Sequence, residues 1–575
     1  MDIQSLHQDI LLHIFHAVAL NEPPQFMHVA HLNFSGVREM LGFPITTRDE
    51  RLGWVRLGHV NHAWRAILLR AQTLWADHIG SLPAGVDEML ARAGRTAPVT
   101  LRLPLGTSSS PIIEHLVEVL LDRGVDIQAR LRAVHTWYTC PFPRPIRLRQ
   151  RTRLCNEIDS LKNDMKHIWY EVGNQLFPFS VLESTLLVNE LATLEILNLS
   201  RHCTSPRNRL SVNAPNLRHL TLRDCYVSCP RSTQLVSISI SFLWHIRDDT
   251  PGMTMDEILD LLECCAATLQ HLDLNGVFLY DEEMARYASR FAPPAHVLEP
   301  SSERSINLPA LRSISLQETY TDTACFLTHL CYPQSTTTRF TGRRGPAGSR
   351  LSKDIDLSIR AAIAKYPDCH AVGLYFHDEH AEIPTLQGSI DIYALPTIKM
   401  TSVHMCSWFR THSPIIRISA EYTGPFFHVN AWTVARTLAS ELPTSGIVIE
   451  EVVLSLGNSI SQNEVLDVLR SAPRARNLYI ETQSITFTTI AHAVQQHITE
   501  GGHCYEKICL VAGSEPTTIT NLATMSTVFG QSRFDVTTLC VDKEFERTAG
   551  VEKMRGFVDE LHGAFKEIVL CECKV

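Results

Sequence analysis

The feature that most constrains this sequence is a short apolar spacing, LxxLxL, that recurs along most of its length. The clearest copies are Leu194-x-x-Leu197-x-Leu199, Leu217-x-x-Leu220-x-Leu222 and Leu269-x-x-Leu272-x-Leu274. Other apolar residues stand in at 235–240, 311–316, 449–454, 475–480, 505–510, 536–541 and 565–570. Apolar residues two apart have the period of a strand with one buried face. The starts are separated by 23, 18, 34 and 42 residues in the first series and by 26, 30, 31 and 29 in the second. Earlier strands are expected at Val99-x-Leu101-x-Leu103 and Leu131-x-x-Val134. Between 311 and 449 the pattern thins to Val372-x-Leu374-x-Phe376 and Ile416-x-Ile418. Helix signals fall between strands: the capping boxes Thr254-Met255-Asp256-Glu257 and Ser461-Gln462-Asn463-Glu464 lead into Ile258, Leu261 and Leu262 and into Val465, Leu466 and Leu469.

A strand and a helix per unit, with two inward aliphatics on each strand, resembles an irregular leucine-rich repeat. One such unit cannot bury its apolar face alone, so stacking is required and neighbouring strands pair in parallel. The expected fold class is therefore α/β: a curved solenoid with a parallel sheet and outer helices, over residues 191–575, behind degenerate first repeats and a connecting region at 81–190. An ordinary α/β sheet domain is the alternative, and it needs ten copies of one spacing to coincide. Residues between the inward aliphatics point to the other sheet face. They are His219, Thr221 and Arg223, His271 and Asp273, Ser313 and Ser315, Asn477 and Tyr479, and Thr538 and Cys540. Polar and mixed in sign, this set suits a protein ligand better than a polyanion. The strongest candidates for a target-binding face are His219, Thr221, Arg223, His271, Asp273, Asn477 and Tyr479; plain solvated surface is the alternative for each.

The first 80 residues read differently. Ser5 and Gln8 are placed as a capping box, and Leu6, Ile10 and Ile14 recur on one helical face with Leu11 and Phe15 beside them. After a Pro- and Gly-marked stretch the helical pattern resumes from Leu52 to Ile79, through Trp54, Leu57, Val60, Trp64 and Ile67 or Leu68, then Leu74 and Trp75. Leu6, Asp9, Ile10, Leu11, Ile14 and Phe15, followed by Val60, Trp64, Arg65, Leu74 and Trp75, resemble the F-box, in the F-box-like form abundant in mushroom-forming fungi. His7 stands where the family usually has Pro, and Asn61 where it usually has Cys. The resemblance implies an all-α F-box-like domain at 1–80 that docks a Skp-family adaptor and, through it, a cullin scaffold. It assigns adaptor contact to Leu6, Ile10, Ile14, Phe15, Val60, Trp64, Leu74 and Trp75. The competing view is a generic three-helix subdomain whose Trp and Leu residues fill a core.

Composition narrows the remaining classes. Lys and Arg number 52 against 61 Asp and Glu, a formal charge of −9, which argues against a nucleic-acid coat. Two basic stretches interrupt this balance. Arg144 to Arg153 is an exposed edge or a patch for an acidic partner, and Arg339 to Lys353 is expected as a loop. The 16 Cys are scattered without paired CxxC spacing, which points to reduced thiols in a cytoplasmic or nuclear protein. No secretory signal or membrane span is expected. His377-x-x-His380 lacks the HExxH pattern of a zinc protease, and there is no GxSxG elbow or P-loop. Neither a metal, a cofactor nor a catalytic residue is expected. The reading is a non-catalytic substrate receptor of an SCF-type ubiquitin ligase with an unidentified protein target, a scaffold with a degenerate F-box being the alternative.

Overall fold

In a computed structural model of the chain, the opening apolar stripe becomes helix α1, Gln8–Asn21. The structure describes residues 6–24, 48–105, 111–138, 187, 189–200, 210–223, 225–242, 253–278, 304–318, 320–342, 361, 371–378, 388–394, 416–420, 448–455, 461–482, 487–502, 505–512, 526–529, 534–542, 551–562 and 564–571. The protein is mixed α/β, and its chain divides into two compact units, Met1–Leu269 and Gln270–Val575.

In the first unit, α1 starts later than the Ser5 capping box implies. His7 is the N-cap, and its side chain accepts from the Asp9 amide at 3.4 Å. The buried stripe is Leu11, Phe15 and Ala19 rather than Leu6, Ile10 and Ile14. A 3-10 segment, Arg48–His59, leads to α2, His62–Arg70, whose N-cap Asn61 accepts from the Trp64 amide at 2.8 Å. Then come α3, Gln72–Ala76, and α4, Val86–Ala93. Aromatic rings form the centre of this module. Phe15 meets Trp64 edge-on at 5.4 Å, Trp54 meets Trp75 at 4.9 Å, and the Arg92 guanidinium lies 4.4 Å over Trp75. The Trp75 indole N–H donates to the Leu68 carbonyl at 2.8 Å.

Strand β1, Val99–Leu105, is followed by α5, Pro111–Asp122, α6, Gly124–Gln128, and β2, Leu131–Tyr138. The helices at 1–80 run without a gap into this sheet. Ile79 bridges Leu101, and the Arg102 amide donates to the Ile79 carbonyl at 2.7 Å. The Asp77 carboxylate accepts from Thr100 Oγ1 at 3.1 Å and Arg132 Nη2 at 2.6 Å. Beyond lie β3, Ile196–Ser200, β4, Leu210–Ser211, β5, His219–Arg223, β6, Val227–Ser228, β7, Ser237–Ser241, and α7, Met255–Cys264. The Thr254 capping box forms as expected, with both reciprocal bonds present. The sheet order is β1-β2-β3-β5-β7, all parallel, and Leu101, Val134, Leu197, Leu220 and Ile238 share one buried row.

The second unit contains β8, His271–Asn275, β9, Ile306–Asn307, β10, Ser313–Gln317, α8, Tyr320–Thr328, β11, Leu330–Cys331, and β12, Thr337–Gly342. Next are β13, Ala371–Asp378, β14, Gly388–Ala394, β15, Ile416–Ala420, and β16, Val448–Ser455. The chain continues through α9, Gln462–Ser471, β17, Asn477–Thr482, α10, Phe487–Thr499, and β18, Lys507–Ala512. It ends with β19, Phe534–Asp542, α11, Val551–Leu561, and β20, Phe565–Cys571. The order β8-β10-β12-β15-β14-β13-β16-β17-β18-β19-β20 corrects the expectation of a wholly parallel array. β14 is antiparallel to both its neighbours, and β13 to β15 occupy the sheet in reverse chain order. Arg339, expected in a loop, sits in β12 paired with β10 and β15. The Arg144–Arg153 stretch and most of the second basic stretch lie outside the described residues.

A recurrent side-chain bond holds successive strands together. The hydroxyl or amide of a residue just before a strand, or within it at Thr537, donates to a carbonyl of the preceding layer. This joins Thr193 to Leu131 at 3.0 Å, Asn216 to Ala192 at 2.7 Å and Thr268 to Leu235 at 2.9 Å in the first unit. In the second unit it joins Thr336 to Leu311 at 2.7 Å and Thr537 to Tyr505 at 2.8 Å.

Gly53 fixes how the end of α1 meets the 3-10 segment. Its φ is +52°, and a Cβ there would collide with the Glu22 carbonyl and the Pro23 backbone, while the neighbouring Trp54 amide donates to that Glu22 carbonyl at 2.9 Å. Gly53→Ala is therefore expected to destabilise the first unit by about 2 kcal/mol or more. Urea unfolding followed by tryptophan fluorescence measures this as a lowered midpoint with an unchanged slope.

Candidate functional site

Two kinds of surface emerge: apolar side chains left outside the helical core, and the outward face of the strands. The eight residues assigned to adaptor contact separate by burial. Phe15, Trp64, Leu74 and Trp75 are buried and fill the aromatic core. Leu6 and Ile14 are half-buried, whereas Ile10 is 49% and Val60 56% exposed. Leu20, on the last turn of α1, is 82% exposed and was not among those candidates. The periodic pattern could not make this separation, because a helix's core face and a docking face have the same spacing.

In the first unit the outward strand positions align in rows. His219 of β5 stands beside Ser237 of β7, Thr221 lies between Asn198 of β3 and Ser239, and Arg223 lies between Ser200 and Ser241. His219 and Arg223 are exposed, and the serines are half-buried. One row extends from Asn198 through His135 of β2 to Arg102 of β1. Burial and the Arg102 charge hold the His135 imidazole down at about 4. Arg102 and His135 were missing from the candidate face. Carrying its row back through the expected strands at Leu101 and Val134 would have found both.

In the second unit, His271 and Asp273 are exposed on β8, and His271 Nδ1 lies 2.8 Å from Ser313 Oγ. Further along, the expectation fails. Tyr479 is fully buried, and Cys540 is buried as well. Asn477 is half-buried, and its amide donates to Glu451 Oε1 at 2.7 Å. The physical reason lies in the neighbours: Val453, Tyr479, Cys509 and Cys540 form an apolar row across β16 to β19, so both sheet faces are buried there. Tyr479 therefore leaves the candidate binding face, whereas Asn477 stays half-buried in the neighbouring row with Lys507. Burial pushes the Glu451 carboxyl up to about 7, against hydrogen bonds from Asn477 and Tyr479 that favour its charged form.

His377 and Asp378 end strand β13 rather than sharing a helix face, and His380 lies outside the described residues. No group of three or more His, Cys, Asp or Glu among the described residues has the arrangement to hold a metal ion. Burial pushes the Cys229 and Cys265 thiols up to about 12, so neither is a thiolate at neutral pH. No described helix is long and apolar enough to cross a membrane. No protein-family model matches the sequence, and none of the curated proteins matches it.

Glu451 generates a pH prediction. Its folded value of about 7 lies above the ordinary 4.5, so the folded state holds the proton more tightly. Its contribution to stability is present below pH 4.5 and is lost as pH rises towards 7. Glu451→Gln is expected to remove that loss, and hydrogen exchange in β17 between pH 5 and pH 8 measures the change in slope.

Proposed function

We propose that this chain is a non-catalytic substrate receptor of an SCF-type ubiquitin ligase, acting in the cytoplasm or nucleus. Residues 1–80 form an F-box-like module that engages a Skp-family adaptor and, through it, a cullin. The strands form an irregular leucine-rich-repeat-like array that holds a protein target. The observation that carries this reading is the helical module with its own filled aromatic core that still exposes Ile10, Leu20 and Val60. Large aliphatics on a small helical unit are the material of a docking surface.

The departures from the F-box pattern have a local physical explanation. His7 and Asn61 are both helix N-caps whose side chains accept backbone N–H groups. Each satisfies an otherwise unpaired donor at a helix start, so either substitution is compatible with the same helices. The mechanism is proximity: the receptor holds its target beside the ubiquitin-charged enzyme, raising local concentration without reacting itself. His7 also favours a second reading, an interaction scaffold with a degenerate F-box, since the usual adaptor-contacting Pro is replaced by a residue engaged in capping.

Co-purification of the full chain with a recombinant Skp-family adaptor separates the two. The receptor reading expects binding that Ile10→Asp with Val60→Asp weakens by about tenfold or more, while the melting temperature stays near wild type. Trp64→Ala is expected to act differently, costing about 3–5 kcal/mol by opening the core. Failure of the folded wild-type protein to bind the adaptor leaves the scaffold reading.

A further inference from the structure

The outward face of the first unit's sheet departs from the overall charge of the chain. The chain carries more acids than bases, 61 against 52. Yet the described outward side chains of β1, β2, β3, β5 and β7 include no carboxylate. They include Arg102, Arg223, His135 and His219, and hydroxyls from Ser200, Thr221 and three serines of β7. Asp77, beside β1, is already committed: its carboxylate holds Arg132 and Thr100, and its carbonyl accepts from Arg102 Nε at 2.8 Å. Arg223 is exposed and has no ion-pair partner among the described residues. Burial disfavours the charged form of Arg102, with Asp77 the opposing influence.

We infer that this face receives an extended acidic segment of a protein, with a carboxylate seated on Arg223 and its backbone against the serine and threonine hydroxyls. This deepens the receptor reading by naming the chemistry of the target, and it rests on that reading only for its biological role. His219 and Arg223 are four residues apart on one strand, a span of about 13 Å at ~3.3 Å per residue. An extended peptide covers the same distance in four residues, so acids four apart meet the imidazole and the guanidinium together. The small residues of β7 matter as much as the charges: Ser237, Ser239 and Ser241 leave room for a backbone to approach, where larger side chains would fill the face. Long-range attraction would steer the acidic segment to this side of an otherwise acidic protein.

The test is fluorescence anisotropy on the full chain with a labelled peptide of alternating Glu and Ser, and with its Lys–Ser counterpart. The expected result is saturable binding of the Glu–Ser peptide that weakens with salt, and none of the Lys–Ser peptide. Arg223→Glu is expected to weaken binding by about tenfold or more, about 1.4 kcal/mol per factor of ten. Ser239→Trp should do the same without changing charge. Arg555→Glu, on exposed α11 of the second unit, should leave affinity unchanged. Equal weakening by Arg223→Glu and Arg555→Glu, no saturation, or tighter binding of a single-stranded DNA oligonucleotide than of the Glu–Ser peptide would each overturn the inference. Adaptor co-purification of the wild-type chain is scored in parallel. Intact adaptor binding alongside absent peptide binding rejects this inference alone, and the reverse rejects the receptor reading while leaving the acidic site standing.

Discussion

A parallel strand with aliphatics on one side cannot stand by itself, and both units are organised around that limitation. Each strand needs a neighbour along its backbone and a layer over its inward Leu or Ile side chains. In the first unit the helical module supplies part of this at β1: Ile79 pairs beside Leu101, and Asp77 binds Thr100, Arg102 and Arg132. Loss of the module would uncover a sheet edge. Between successive layers, Thr193, Asn216 and Thr268 tie the loop before each strand to the carbonyls behind it.

The inward faces follow one rule throughout, but the outward faces do not. On β5 and β7 the outward residues are His, Thr, Arg and Ser, and that face stays open to water. On β16 to β19 they are Val453, Tyr479, Cys509 and Cys540, and the face is buried. Glu451 is caught at the margin of that second environment, where burial outweighs its hydrogen bonds and moves its titration towards neutrality. The two units therefore offer different things. The first presents polar, chemically addressable positions for recognition. The second, across β16 to β19, uses the same strand geometry to build structure on both sides.

Strand positions were legible because alternation over a few residues encodes them locally. Every LxxLxL site lies on a strand, including the faint ones at Val372 and Ile416. Besides the two-residue strands β4, β6, β9 and β11, two strands escaped notice. β12, Thr337–Gly342, has Thr338 where the pattern wants an aliphatic, and β14, Gly388–Ala394, lies among residues without repeat spacing. Sheet order was not legible at all between β12 and β16, since a local pattern specifies a strand but not which neighbour it chooses. Tyr479 shows the same limit on a single residue. Its outward register was inferred soundly, but register tells which face a side chain takes and not whether that face is covered. Asn477, on the same strand, is half-buried and bonds to a buried carboxyl that no spacing rule foresees.

The helical module sets out this limit in functional terms. Phe15, Trp64, Leu74 and Trp75 are the residues a pattern picks out most readily, being large and regularly spaced, yet they are interior. Their effect on any partner is indirect, through the shape they give α1 and α2. Ile10, Val60 and Leu20 contribute little to that core, so the folded state gains little from their being apolar. A residue that stays aliphatic where water would favour a polar one is better explained by what it meets than by what it holds up. The same argument sorts His7 and Asn61, whose caps account for them without any partner. Interior and exposed apolar residues are thus separable in this module by burial, and only the exposed set is open to a partner.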